Sequence, residues 1–169
     1  MEAATMESNS TQCRAGAGKY LTFNLDKEEY GLEILKVKEI IGLMDITSLP
    51  QTPDFVKGVI NLRGKVIPVV DLRLRFLLDE AEHTEKTCII VVEVESENRY
   101  SQIGIVVDSV SEVLQVQEDD LQATPSFGVN IDTSYILGMA KSQNRIRTLL
   151  DINRVLITND MVNVINSNK

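Results

Sequence analysis

The sequence predicts a mainly β protein, two small packed barrels or a sandwich, and three observations predict it. Roughly nine or ten segments of strand length, rich in Val and Ile, either alternate apolar with polar residues or run apolar throughout. Clusters of Gly, Asn, Asp and Pro separate these segments at short, even spacing. Helical periodicity is confined to a few short stretches. A chain of 169 residues that is 43% hydrophobic is enough for one domain, or two subdomains sharing a core. The acidic linker "DEAEHTEK", 79–86, is the natural divide.

The first eighteen residues are small, polar and aperiodic and are expected to form a disordered tail. They hold no apolar core of signal-peptide length, so a soluble intracellular protein is expected. "KYLTFNL" alternates, with Leu21, Phe23 and Leu25 on one face and Tyr20, Thr22 and Asn24 on the other. After the polar turn "DKEE", "EYGLEI" reads as its hairpin partner. In "LKVKEIIGL" the residues Leu35, Glu39 and Ile40 are helix-spaced, and Gly42 stands as a helix end. Thr52 before Pro53 predicts an N-cap and one helical turn, "PDFVK".

"GVINLR" is the next strand, and Gly64 lets the chain reverse into "KVIPVVDL" by taking a positive φ. Pro68 cannot donate to a ladder, which predicts an edge position or a bulge. "LRLRFLL" is short and helical or irregular. Beyond the linker come the strands "TCIIVVEVE", "RYSQIGIVVD" and "SVSEVLQVQ", then a loop containing "EDDLQATP". "SFGVNIDTSYILGMA" supplies one or two strands, "RIRTLLD" another, and "INRVL" a terminal helix. Residues 158–169 are polar and are expected to fray. Three aspartates, Asp71, Asp108 and Asp151, each follow an apolar strand, where a carboxylate can cap a following helical turn.

Seventeen basic against 25 acidic residues give a net charge of −8, which disfavours a polyanionic partner, so no nucleic acid is expected. No run of apolar residues is long enough to cross a bilayer, and no membrane insertion is expected. Cys13 and Cys88 lack a second Cys or a His at ligand spacing, so neither a disulfide framework nor a metal site is predicted. His83, the one histidine, lies in the acidic linker without a nucleophile elbow to serve. No glycine-rich phosphate cradle follows a strand, and tryptophan is absent. No catalytic residues, cofactor or metal are therefore expected. A binding module remains, with a small barrel for a small ligand or oligonucleotide as its rival reading.

Three stretches narrow this. "EEYGLEILKVKEIIG", "PDFVKGVINLRGKVIPVVDLR" and "IGIVVDSVSEVL" follow one another in the order and spacing of the CheW family of bacterial chemotaxis coupling proteins. The resemblance runs from about Lys19 to Leu156, and its middle motif is the most specific part. It implies two SH3-like five-stranded β-barrel subdomains packed around a shared hydrophobic core, with short helices. The subdomains expected are about 19–80 plus 145–157, and about 83–144, within a domain spanning 19–157.

The resemblance also implies a non-catalytic adaptor, monomeric when isolated. It would couple the cytoplasmic tip of methyl-accepting chemoreceptors to the regulatory domain of the histidine kinase CheA, at arrays on the inner membrane face. No receiver or ATP-binding segment follows Leu156, so a stand-alone coupler is expected. Matching motif positions would place Val37 and Glu39 along a receptor groove, with Gly58, Ile90 and Val106 supporting its apolar floor. Arg63 would sit on the glycine turn outside the core, its fork free to meet a partner's carboxylate or Glu39; the plain alternative is a solvated turn arginine. For the kinase contact the candidates are Ile41, Met44 and Ile46 in "IGLMDIT", and Phe127.

Overall fold

The computed structural model describes residues 13–124 and 133–157. The first half of the chain is a hairpin of β1 (Gly18–Leu25) and β2 (Glu28–Glu33), a bridging strand β3 (Val37–Gly42), a second hairpin of β4 (Val56–Leu62) and β5 (Lys65–Asp71), and the helical turn α1 (Leu72–Arg75). The second half repeats the plan. A hairpin of β6 (Cys88–Ser96) and β7 (Arg99–Val107) leads to β8 (Ser109–Val116) and the short β9 (Leu121–Gln122). A last hairpin, β10 (Ile136–Ser142) and β11 (Arg145–Leu150), precedes α2 (Ile152–Leu156).

The halves exchange hairpins. One sheet runs β8-β1-β2-β11-β10-β9 and the other β3-β6-β7-β5-β4. The connections force this. β8 lies antiparallel to β1, so a β3 in that place would run parallel to β2 on the far side of β1. Such a crossover needs a dozen or more residues, whereas only the 3₁₀ turn Ile34–Lys36 separates β2 from β3. A single residue, Asp108, likewise separates β7 from β8. β3 therefore crosses to pair with β6, and β8 crosses back to pair with β1.

Each sheet closes on itself. Thr47, beyond β3, exchanges two backbone bonds of 2.8 Å with Val59 of β4. In the other sheet β8 continues through the 3₁₀ turn Glu118–Asp120 into β9, which pairs with β10. Barrel A holds β1, β2 and β8–β11, and barrel B holds β3–β7. The expected division of the chain by segments is thus corrected: 37–71 and 88–107 share one barrel, and 109–116 joins 18–33 in the other.

Three clusters fill the molecule. Ile60, Ile67, Val69, Ile89, Val91 and Val106 pack inside barrel B, and Tyr20, Leu114, Val116, Leu137, Ala140 and Leu149 inside barrel A. Between the barrels lie Leu21, Phe23, Leu25, Ile90, Val92, Ile103, Ile105 and both helical turns. Strand alternation thus sends Ile89 and Val91 inward and Ile90 and Val92 to the shared core, so both faces of β6 are buried, which accounts for its nearly unbroken apolar run. Each such residue contributes roughly 2 kcal/mol before chain entropy is charged.

Several local expectations change. "LKVKEIIGL" is the strand β3 and not a helix, because β-branched Val37, Ile40 and Ile41 pair across to β6 with alternating exposure. "PDFVK" is a turn, held by the Val56 amide donating to the Pro53 carbonyl, with no helix after Thr52. β5 is interior, so Pro68 is not on an edge. Its β4 partner Val59 spends both backbone groups on Thr47, and the ladder to β7 begins only at Val69. The chain is already packed at Arg14 and Ala15, whose amides both donate to Leu137, so the expectation of a tail running through residue 18 is corrected. Asp71 and Asp151 cap α1 and α2 by accepting the amides of Arg73 and Arg154. Asp108 precedes a strand instead and caps nothing; its carboxylate binds Arg73 and the Asp26 amide.

Candidate docking surfaces

The β4–β5 turn is a two-residue loop with positive φ at both Arg63 (53°) and Gly64 (85°), the geometry that matches strand twist in a tight hairpin. Asn61 holds it by accepting the Gly64 amide at 2.8 Å. Its side chain 70% exposed, Arg63 reaches across the seam of barrel B and bonds the Glu39 carboxylate on β3. The pair therefore spans the two strands at which the barrel closes, and Arg63 is an exposed arginine paired with Glu39. Beside it Lys38 meets Glu93 at 3.2 Å. Val37 is half-buried against the inter-barrel core.

The remaining groove candidates are interior. Ile90 is wholly buried in the inter-barrel cluster, and Val106 is buried inside barrel B, so the two side chains face opposite sides of one sheet. They do not form one floor. Gly58 is buried at a bulge of β4 with φ of 141°, and a Cβ there would lie 2.0 Å from the Thr47 carbonyl oxygen. Its task is to let the strand approach the segment that closes the barrel.

Of the kinase candidates, Ile41 and Ile46 pack against the interior of barrel B, which leaves Met44 exposed. Phe127 lies outside the described residues. Exposed apolar side chains that sequence reasoning missed include Ile40 on β3, Val66 on β5, Val113 on β8 and Ile146 on β11. The helical reading of this stretch hid Ile40; alternation along 37–42 marks it as exposed. Val66 and Ile146 each follow the first residue of the strand after a hairpin turn, at matching places in the two halves.

Burial pushes the Cys88 thiol up, away from the thiolate form. His83 is exposed in the linker. Among the described residues no group of three His, Cys, Asp or Glu could hold a metal ion.

With this geometry in view, comparison with known proteins is specific. The family model for the CheW-like domain matches residues 19–159. The chain is similar to chemotaxis protein CheW of Klebsiella aerogenes, 39% identical over 150 residues, covering 88% of this chain and 87% of that one. It is 36% identical over 139 residues to chemotaxis protein CheW of Bacillus subtilis, covering 82% and 86%. Among solved structures it resembles the scaffolding protein TtCheW from Thermoanaerobacter tengcongensis, with a TM-score of 0.74 at 34% identity, covering 86% and 96% of the two chains.

Proposed function

The chain belongs to the CheW-like family, and from that premise we propose that it is a chemotaxis adaptor without catalysis of its own, joining the cytoplasmic tip of methyl-accepting receptors to the regulatory domain of the histidine kinase CheA. The observation that carries the reading is the closed, filled double barrel with a charged pair held outside it. Both barrel interiors are occupied by side chains, which leaves the outer faces to do the binding. That also argues against the rival barrel for a small ligand or oligonucleotide, as does the charge of −8. No helix among the described residues is long and apolar enough to cross a membrane, and the chain would reach the membrane's inner face only through the receptors.

Receptor docking is assigned to the edge strand β3, with Glu39 beside Arg63 on one face and Val37 and Ile40 on the other. A receptor helix laid there would use apolar contacts for affinity and the charged pair for register. Kinase docking is assigned to the surface around Met44, with Phe127 retained as a second candidate. The division of labour between two faces is what an adaptor requires, since both partners must be held at once. The test is co-sedimentation of the purified chain with receptor signalling fragments and kinase regulatory domain. Binding to each separately, and to both together, is expected; binding to neither would remove the reading.

A further inference from the structure

We propose that Arg73 is a positioning residue that locks the angle between the two barrels. Arg73 sits on α1, which follows β5 of barrel B. Its side chain is mostly buried and forks onto Asp108, Nε and Nη2 each donating at 2.9 Å to one carboxylate oxygen. Asp108 is the single residue between β7 of barrel B and β8 of barrel A. The same carboxylate accepts the amide of Asp26, in the β1–β2 turn of barrel A, at 2.7 Å, and the Asp26 carboxylate lies 3.6 Å from Arg73 Nη2. Arg73 Nη1 also donates to the Asp79 carbonyl at 2.9 Å, which ties down the start of the linker. One guanidinium thus joins both barrels and the linker between the two halves of the chain, with the planar fork fixing direction as well as distance.

Among the described residues the opposite seam carries no such charged clamp. Asn153 stands two residues after the capping Asp151, as Arg73 stands two residues after Asp71. It makes two neutral bonds to the backbone of Glu95 on β6, 3.3 Å from the amide and 2.9 Å to the carbonyl. Beside it lies an open cleft of ≈ 480 Å³, lined among others by Glu33, Lys36, Arg154 and Ile157. Leu35, next to Lys36, is 88% exposed. One seam is therefore locked by charge and the other has room to move. With Arg73 cut, rotation of one barrel against the other is restrained chiefly by the apolar core, by the Asn153 bonds, and by Arg75, whose Nε donates to the Val155 carbonyl at 2.7 Å.

Spin labels on Lys65→Cys of barrel B and Lys141→Cys of barrel A, in a Cys13→Ser/Cys88→Ser background, report the inter-barrel distance by pulsed dipolar spectroscopy. Both label sites are exposed. A single narrow distribution is expected with Arg73 present, and one at least about twice as broad, or displaced, in Arg73→Ala. Arg73→Lys keeps the charge without the fork and should fall between, which serves if Arg73→Ala does not fold. Unchanged width and position in whichever variants fold would overturn the proposal.

Discussion

Gly58 and Arg63 stand five residues apart on one hairpin and answer to different physics. A methyl group at Gly58 would meet the Thr47 carbonyl at 2.0 Å in a backbone conformation that side chains rarely adopt. Gly58→Ala should therefore cost at least about 2 kcal/mol, a fall in melting temperature of roughly 4–8 °C, measured by thermal unfolding. Any loss of partner binding in that variant would be a loss of structure. Arg63 is the reverse case. It is exposed and paired across a wet seam, so the pair contributes less than about 1 kcal/mol. Arg63→Glu and Glu39→Lys should leave the melting temperature within about 2 °C and weaken assembly in co-sedimentation. Unfolding in either would refute the exposure that the docking assignment relies on. The sequence showed Arg63 to be outside the core because a glycine turn follows it. It did not show that Gly58 is packed against backbone, because Thr47 and Val59 are neighbours only once the barrel closes.

At the level of elements, the third of the aspartates that follow strands behaves unlike the other two. Burial raises the Asp108 carboxyl, but the Arg73 fork and the Asp26 amide outweigh it and hold the group below its ordinary value. The same contacts raise Arg73 further, so it stays charged at any working pH. A folded-state value below the unfolded one gives stability that is fully present above the unfolded pKa, near 4, and is lost as pH falls through the folded value. Melting temperature measured from pH 6 to pH 3 should thus separate parent from Asp108→Asn at neutral pH and bring them together toward pH 3. A gap that widens on acidification would contradict the sign. Three local patterns of an apolar strand before Asp looked alike in sequence. Two continue into a helical turn and one into β8, and only the continuation decides between a cap and an inter-barrel bond.

On the scale of the whole molecule the two barrels differ in what fills them. Where barrel B carries Ile67 four residues before Asp71, barrel A carries Arg147 four residues before Asp151, and its side chain is 0% exposed. Arg147 Nε lies 3.3 Å from Glu29, which also accepts from Arg145, and Nη2 lies 3.7 Å from Glu112. Removing one partner of a buried pair is costly because the other charge stays behind, whereas replacing both by groups of similar shape is often neutral. Arg147→Ile should lose about 3 kcal/mol in urea unfolding, and Glu29→Gln/Arg147→Ile should recover most of it. Equal losses in the single and double variants would show that the cluster is held by something other than its own charges. "RIRTLLD" gave no hint of this, since alternation marks a face as inward without saying which barrel, or which carboxylates, it will meet.

What the chain determines locally is the strand inventory, the hairpin turns and the capped helical turns. These depend on side-chain alternation, left-handed turn residues and one carboxylate beside one amide, all within a few residues of each other. The motif around Asn61–Gly64 likewise carried the family likeness and the exposed arginine. The partner of each strand was decided only by the assembled fold. Links of three residues and one residue forbid the first hairpin of each half from receiving the strand that follows it, so the halves must trade. That trade sets Glu39 against Arg63, Arg73 against Asp108 and Arg147 against Glu29, residues 24, 35 and 118 positions apart in the chain. Steric reach over such separations is a property of closed barrels, and no stretch of sequence contains it.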